Sequence, residues 1–136
     1  MEATIQPYSV LIADDSTDIR MIWRRRLEKL GFRKIELAEN GSVAIEKARS
    51  SMPHLIILDY VMPEVDGLEA LKQIRVFHPS AVIIVASSIA ARDKIVEIKD
   101  AKADLYFLKT APQEKFFETV TKALTLLQNR FSEVKS

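Results

Sequence analysis

Apolar and polar positions alternate in blocks along this chain, and the blocks predict five strands separated by helices. Four short runs are entirely apolar, and they occupy positions 10–13, 55–58, 82–86 and 105–108. Runs of this length are typical of strands buried on both faces of a parallel sheet. A fifth, more polar strand is predicted at 34–38, and the first strand is expected to begin at about Ser9. This alternation favours an α/β domain.

The segments between the strands carry apolar residues at three- and four-residue spacing, which is the pattern of helices with one buried face. The predicted helices cover approximately 16–30, 42–50, 67–78, 91–101 and 112–129. Ser16 or Thr17 can cap the first helix, Gly31 can end it, and Pro79 stops the third. No repeat or linker interrupts the pattern. One domain is therefore expected over residues 1–136, with a core of about 9–130.

Composition narrows the class of protein. The 136 residues are 48% hydrophobic and 29% charged, as in an ordinary globular domain. With 20 basic and 19 acidic residues the net charge is +1, so we expect neither direct nucleic-acid binding nor membrane insertion. The absence of cysteine excludes disulfides and cysteine zinc sites. The first nine residues lack the pattern of a signal peptide, and a cytoplasmic protein is expected.

Charged and hydroxyl side chains follow the four apolar runs at the ends where parallel strands share one edge. These residues are Asp14, Asp15, Asp59, Ser87, Ser88 and Lys109. Open α/β sheets bind ligands at that edge. With right-handed crossovers, the pattern fits a flavodoxin-like, doubly wound sheet of five parallel strands in the order 2-1-3-4-5, with five helices. In this order the first and third strands are neighbours, so the three aspartates are predicted to meet.

Three carboxylates this close repel one another unless some are protonated or a cation joins them. Mg²⁺ is the natural candidate, because it takes one or two carboxylates together with water or phosphate oxygens. The simpler interpretation is that Asp15 and Ser16 cap the first helix and that Asp59 begins a turn. For Asp15 alone that interpretation is preferred, but for the whole set at matching strand ends a site is favoured.

Taken together, these residues resemble the receiver domain of two-component response regulators, and most of all the single-domain, chemotaxis-type members. The resemblance covers about Val10 to Leu127. It is carried by the acidic pair, the lone Asp59, two dipeptides after it, and three later residues. The dipeptides are Met62-Pro63 and Asp66-Gly67, and the later residues are Ser87, Tyr106 and Lys109.

The resemblance implies phosphoryl transfer onto Asp59 from the phosphohistidine of a sensor histidine kinase or phosphotransfer protein. Mg²⁺ would be held by the Asp14–Asp15 pair, Asp59 and the backbone carbonyl of Val61. Lys109 and Ser87, with Ser88 beside it, would contact the phosphoryl oxygens. Such a protein catalyses its own phosphorylation and slow dephosphorylation, and is a signalling switch rather than a turnover enzyme.

The resemblance also implies a conformational response. Ser87 would move toward the phosphate and Tyr106 would turn inward, although Tyr106 can also be an ordinary half-buried strand aromatic. The face made by the fourth helix, the last strand and the last helix would then bind a downstream protein. The protein would be a monomer or a phosphorylation-dependent dimer.

Three departures from the family pattern carry expectations of their own. Thr110 follows Lys109 where the family has a proline in a cis peptide, so this bond is expected to be trans. Lys102 occupies a position where glycine is common, and a left-handed Lys102 would bear roughly 1–2 kcal/mol of strain. Val61 and Ile89 are apolar where the family often orients the hydrolytic water, so a long-lived phosphoryl group is predicted.

Other interpretations remain open. A pseudo-receiver would use the fold for binding without phosphorylation. An aspartyl phosphatase would need a second carboxylate two residues after Asp59 as its acid or base. That position holds Val61, whose side chain can act as neither. His54 and His78 are expected at the surface or at a helix end, away from the acids. Trp23 is expected to pack against the sheet or to be partly exposed.

Overall fold

The computed structural model describes residues 5–88 and 92–132, and these ranges contain alternating strands and helices. The strands are β1 (Gln6–Ala13), β2 (Phe32–Ala38), β3 (Leu55–Asp59), β4 (Val82–Ser87) and β5 (Leu105–Leu108). The helices are α1 (Thr17–Lys29), α2 (Gly41–Ser51), α3 (Gly67–Phe77), α4 (Arg92–Asp100) and α5 (Gln113–Arg130). The predicted alternation is confirmed. Ala91, the expected start of the fourth helix, and Ile89 lie outside the described residues.

All neighbouring strands are parallel, and their order is β2-β1-β3-β4-β5, which confirms the predicted fold. The register brings the strand ends to one level. Ala13 pairs with Leu58, so the residues that follow them lie side by side at the edge of the sheet. On the other side of β3, Ser87 of β4 pairs with Leu108 of β5. This pairing brings Lys109 to the same edge.

The residues at both ends of α1 are ones that the sequence indicated. The Ser16 side chain accepts a hydrogen bond from the Ile19 N–H at 3.2 Å, and Leu30 is the C-terminal cap. Gly31 then adopts a φ of 100°, a conformation that costs glycine little. The turn is so tight that β2 begins at Phe32, two residues earlier than predicted. The Gln6 N–H bonds the Gly31 carbonyl at 2.9 Å, which extends β1 back to Gln6.

Alternate strand residues face two separate cores, one on each side of the sheet. Aromatic residues of α1 and α5, including Trp23 and Phe116, cover one face. Small and aliphatic residues of α2, α3 and α4 cover the other. On α3 the buried residues include Ala70, whereas the apolar residues Leu68 and Phe77 are only half-buried. Burial of both faces explains why the strand sequences are continuously apolar.

Both histidines lie away from the acidic edge, as predicted. His54 is half-buried, and its Nδ1 accepts a hydrogen bond from the Ser9 N–H at 3.0 Å. His78 is the C-terminal cap of α3, which was one of the expected places. It is nevertheless buried, because its Nε2–H donates to the Pro53 carbonyl at 2.6 Å. Within the described ranges, no helix combines the length and apolarity needed to cross a membrane.

Candidate functional site

The three aspartates predicted to meet do so at the carboxyl edge of the sheet. One carboxylate oxygen from each of Asp14, Asp15 and Asp59 lies within 4.8 Å of the others. Asp14 is fully buried and Asp59 nearly so, whereas Asp15 is exposed. The cluster therefore has two embedded acids and a third that is open to solvent.

Lys109 joins this cluster from the adjacent end of β5. Its Nζ is 2.8 Å from Asp14 Oδ2 and 3.3 Å from Asp59 Oδ2. The backbone N–H of Lys109 donates to the Ser87 carbonyl at 2.8 Å, which ties this corner to the end of β4. The peptide bond before Thr110 is trans, as predicted. The lysine thus reaches the acids without the proline that is usual in the family it resembles.

One cation does not balance the negative charge of the buried pair. Burial and the Asp14 charge raise the pKa of Asp59 to about 6, even though Lys109 and a hydrogen bond from the Val61 backbone act to lower it. Burial opposes the charged form of Lys109, but the hydrogen bond to Asp14 and the charges of Asp59 and Asp14 outweigh it and raise the pKa of Lys109. Carboxylate oxygens crowded in this way are suited to a hard divalent cation such as Mg²⁺.

Asp14 is held in place through all three of its oxygens. Oδ1 accepts the Ser16 N–H at 2.8 Å and Oδ2 accepts the Lys109 ammonium. The backbone carbonyl accepts Arg20 Nη1 at 2.7 Å, and Nη2 of the same guanidinium donates to Thr17 Oγ1 at 3.1 Å. Arg20 was not among the predicted site residues. It lies six residues after Asp14, but its acceptor there is a main-chain carbonyl, which no sequence pattern marks.

The loop after Asp59 is fixed by close backbone packing. The Gly67 N–H donates to the Tyr60 carbonyl at 2.9 Å, and a Cβ on Gly67 would overlap the Asp59 carbonyl oxygen. From the other side, a Cβ on Gly41 would overlap the carbonyl oxygen of Val65. The Val61 side chain is 56% exposed at the mouth of the site.

The predicted switch residues Ser87 and Tyr106 lie on the adjacent strands β4 and β5. Ser87 is the last residue of β4 and is buried, whereas Ser88 is exposed. Tyr106 lies within β5, half-buried against the core formed with α2, α3 and α4, and its burial raises its pKa. The Tyr60 hydroxyl lies 3.4 Å from Glu97 Oε2, so the site loop touches α4, a contact that the sequence did not suggest.

The comparisons with known proteins agree with this geometry. The family model of the response regulator receiver domain matches residues 10–121. The chemotaxis protein CheY of Bacillus subtilis is 33% identical over 117 residues, which cover 86% of this chain and 98% of that protein. CheY of Thermotoga maritima is 32% identical over 113 residues, covering 83% and 94%. The chain belongs to the receiver-domain family of response regulators. In sequence it is similar to the chemotaxis members named CheY.

A solved structure shows the same architecture. The CheX–CheY complex with BeF3 and magnesium from Borrelia burgdorferi superposes with a TM-score of 0.82 at 24% identity. The match covers 86% of this chain and 89% of that one. At this identity the comparison supports the fold and carries no assignment of individual residues.

Proposed function

We propose that this chain is a phosphoacceptor switch in which Asp59 receives the phosphoryl group of a phosphohistidine. A sensor histidine kinase or a phosphotransfer protein would be the donor. One carboxylate oxygen of Asp59 would bond to phosphorus while the bond from phosphorus to the imidazole nitrogen breaks, leaving the imidazole on the donor. The observation that carries the proposal is the convergence of Asp14, Asp15, Asp59 and Lys109 at one strand edge.

The proposal includes a Mg²⁺ site formed by Asp14, Asp15, Asp59 and the backbone carbonyl of Val61. The donor set consists of oxygens, and burial together with the Asp14 charge raises the pKa of Asp59 to about 6 despite Lys109, which favours a further cation at this point. When bound, the ion would neutralise charge on the carboxylates and on the phosphoryl oxygens. Arg20 fixes the Asp14 main chain, and the exposed Asp15 leaves an approach from solvent.

The remaining residues act on the transferred group. The Lys109 ammonium, which lies between Asp14 and Asp59, would pair with a phosphoryl oxygen. The Ser87 hydroxyl would donate a hydrogen bond to another, with Ser88 beside it. Because the groups are set by strand ends, most of the rate enhancement would come from orientation and electrostatics rather than from proton transfer.

The response would be carried by the face that α4, β5 and α5 form. Movement of Ser87 toward the phosphate would let Tyr106 turn inward and change this face, which would bind a downstream protein. For a near-complete reversal of populations, the phosphate must favour the active arrangement by about 5.5 kcal/mol. The partners, a cytoplasmic location, and the choice between a monomer and a phosphorylation-dependent dimer stay predictions.

Intact-mass measurement after incubation with acetyl phosphate and Mg²⁺ tests the proposal. The wild-type protein should gain one phosphoryl group, and Asp59→Asn should gain none. Asp66→Asn is the matched control, because Asp66 lies on the same loop and asparagine also caps a helix. It should gain the group normally, and EDTA should prevent the gain in every variant.

No mass gain in the wild-type protein would contradict the proposal and favour the pseudo-receiver. Turnover of acetyl phosphate without retained phosphate would instead indicate a phosphatase.

A further inference from the structure

The face of an indole ring lies next to the Lys109 ammonium. Lys109 Nζ is 5.7 Å from the centroid of the Trp23 ring. A cation within about 6 Å of an aromatic ring is attracted by its quadrupole, and the attraction is strongest for tryptophan. The Lys109 side chain is 19% exposed and Trp23 is only 3% exposed, so water screens this contact little.

The orientation of the ring is set by other aromatic residues. Phe107 contacts Trp23 edge to face, with ring centroids 5.7 Å apart, and Phe116 lies at 6.1 Å. Phe107 and Phe116 also contact each other, at 5.7 Å and a 90° angle. Because these rings belong to β5 and α5, the indole is held between two elements and presents a fixed surface to the lysine.

The Trp23 ring attracts the Lys109 amine by a different interaction from that of the two carboxylates beside it. Asp14 and Asp59 hold Lys109 in this structure, but both belong to the proposed metal site. An indole face does not bind Mg²⁺, so its attraction for the ammonium does not depend on what those carboxylates hold. The lysine that the ring contacts is followed by Thr110 in a trans peptide, and not by the cis proline that is usual in the family.

We propose that Trp23 is a positioning residue that holds the Lys109 ammonium at the phosphoryl-transfer edge through its ring face. This inference rests on the proposed function. If Trp23 served only the core, an aliphatic residue with the same stability cost would leave transfer unchanged. If the ring face orients the amine, an aromatic replacement should preserve transfer and an aliphatic one should not.

Three variants separate the two roles. Trp23→Leu removes the ring, Trp23→Phe keeps a smaller one, and Phe32→Leu truncates another buried aromatic residue of the same core, at the start of β2. The rate of mass gain is measured against acetyl phosphate concentration, under conditions where circular dichroism shows each variant to be folded. Trp23→Leu should lower the maximal rate about 5- to 20-fold. Trp23→Phe and Phe32→Leu should stay within about threefold of wild type.

Fluorescence supplies a readout besides phosphorylation, because the chain has a single tryptophan. Emission from Trp23 should differ between the wild-type protein and Lys109→Met, since a nearby cation changes the energy of the excited indole. Adding Mg²⁺ with beryllium fluoride should change the wild-type emission, and the change should be lost in Lys109→Met.

The possible failures are distinguishable. If the wild-type protein gains no mass, the proposed function fails, while the resting emission of the two proteins still tests the contact. If the wild-type protein gains mass but Trp23→Leu is as fast as Phe32→Leu, only the role of Trp23 is overturned. Identical emission from wild type and Lys109→Met would also overturn it.

Discussion

The buried Asp59 and the half-buried Asp104 lie at opposite edges of the sheet and meet contrasting environments. Asp59, at the carboxyl edge, shares Lys109 with a second acid, and its pKa is raised to about 6 by burial and by Asp14. Asp104, just before β5 at the other edge, accepts Arg75 at 2.7 Å, the Ile83 N–H at 2.8 Å, and Arg130. Burial acts against the charged form there too, but the hydrogen bonds from Arg130, Ile83 and Arg75 outweigh it and lower the pKa of Asp104.

The difference separates a structural carboxylate, Asp104, from Asp59, the proposed phosphoacceptor; we call their two ends of the sheet the structural edge and the reactive edge. Asp104 connects α3, β4 and the end of α5 through donors that saturate its oxygens. Asp59 is buried beside a second acid, so the fold is less stable for carrying it ionised. A site proposed to take up a metal and a phosphoryl group needs negative charge that the protein has not neutralised, whereas a structural link needs the opposite.

The largest expected effect is at the structural edge. Asp104→Asn should lower the free energy of unfolding by about 3 kcal/mol, because it leaves two arginines without their shared partner. Urea denaturation at pH 7 measures the loss. Asp100→Asn, an exposed change on α4, should cost less than about 0.5 kcal/mol.

The pH dependence should follow the lowered pKa of Asp104. Its contribution is complete above the unfolded value of about 4 and is lost as the pH falls through the folded value. A variant as stable as wild type at pH 7 would show that the two edges do not differ as argued.

A smaller effect of opposite sign is expected at the reactive edge. Asp59→Asn should raise the free energy of unfolding by about 2 kcal/mol at pH 7.5 in EDTA, because it removes an ionised group that the fold disfavours. With a folded pKa of about 6, the wild-type protein loses this stability as the pH rises from about 4 to 6. The gain should therefore shrink toward zero near pH 4.

Urea titrations at both pH values measure this gain, with Asp66→Asn as the comparison. The contrast between the two aspartates would break down if Asp59→Asn were destabilising at pH 7.5.

A substitution at Val61 tests how fast water would hydrolyse the proposed phosphoryl group at the reactive edge. The long-lived phosphoryl group predicted from Val61 and Ile89 implies that a polar side chain at position 61 would speed hydrolysis. Val61→Asn should shorten the lifetime roughly tenfold, less than a well-placed general base provides. Loss of the phosphoryl mass over time in Mg²⁺ buffer measures it.

Val76→Asn is the control, because Val76 is 85% exposed on α3 and outside the acidic cluster. Loss of the wild-type phosphoryl group within seconds would contradict the prediction.

The smallest effect concerns Lys102, next to the structural edge. Its φ of 71° confirms the left-handed conformation considered from the sequence. Lys102→Gly should stabilise the fold by about 1 kcal/mol and raise Tm by about 4 °C. Arg75 bonds the backbone carbonyl of residue 102, so this contact survives the change. Thermal denaturation with Lys99→Gly as a helical control, which should destabilise, decides the sign.

Much of the fold could be predicted because a few neighbouring residues in the sequence mark where each strand ends. Continuous apolar runs that stop at Asp14 or Asp59 indicate both a buried strand and the edge at which it ends. Parallel topology then brings those ends together, so the acidic cluster and Lys109 could be anticipated. Gly31 and Ser16 marked the ends of α1 for equally local reasons.

Contacts made by long side chains could not be predicted in this way. Arg75, Asp104 and Arg130 are separated by more than 25 positions, and no periodic pattern joins them. Arg20 bonds a main-chain carbonyl, an acceptor that every residue carries and that leaves no mark in the sequence. Trp23 packs against the sheet, which was one of the two placements expected for it, but its proximity to Lys109 depends on the three-dimensional placement of α1.

The two glycines that confine the loop after Asp59 have a consequence for protein engineering. Gly41 and Gly67 hold its main chain by direct backbone contact, while the Val61 side chain points into solvent. The identity of residue 61 can therefore be changed without displacing the backbone that carries Asp59. Signal duration would then be adjustable through one surface position, whereas any side chain introduced at 41 or 67 would distort the loop itself.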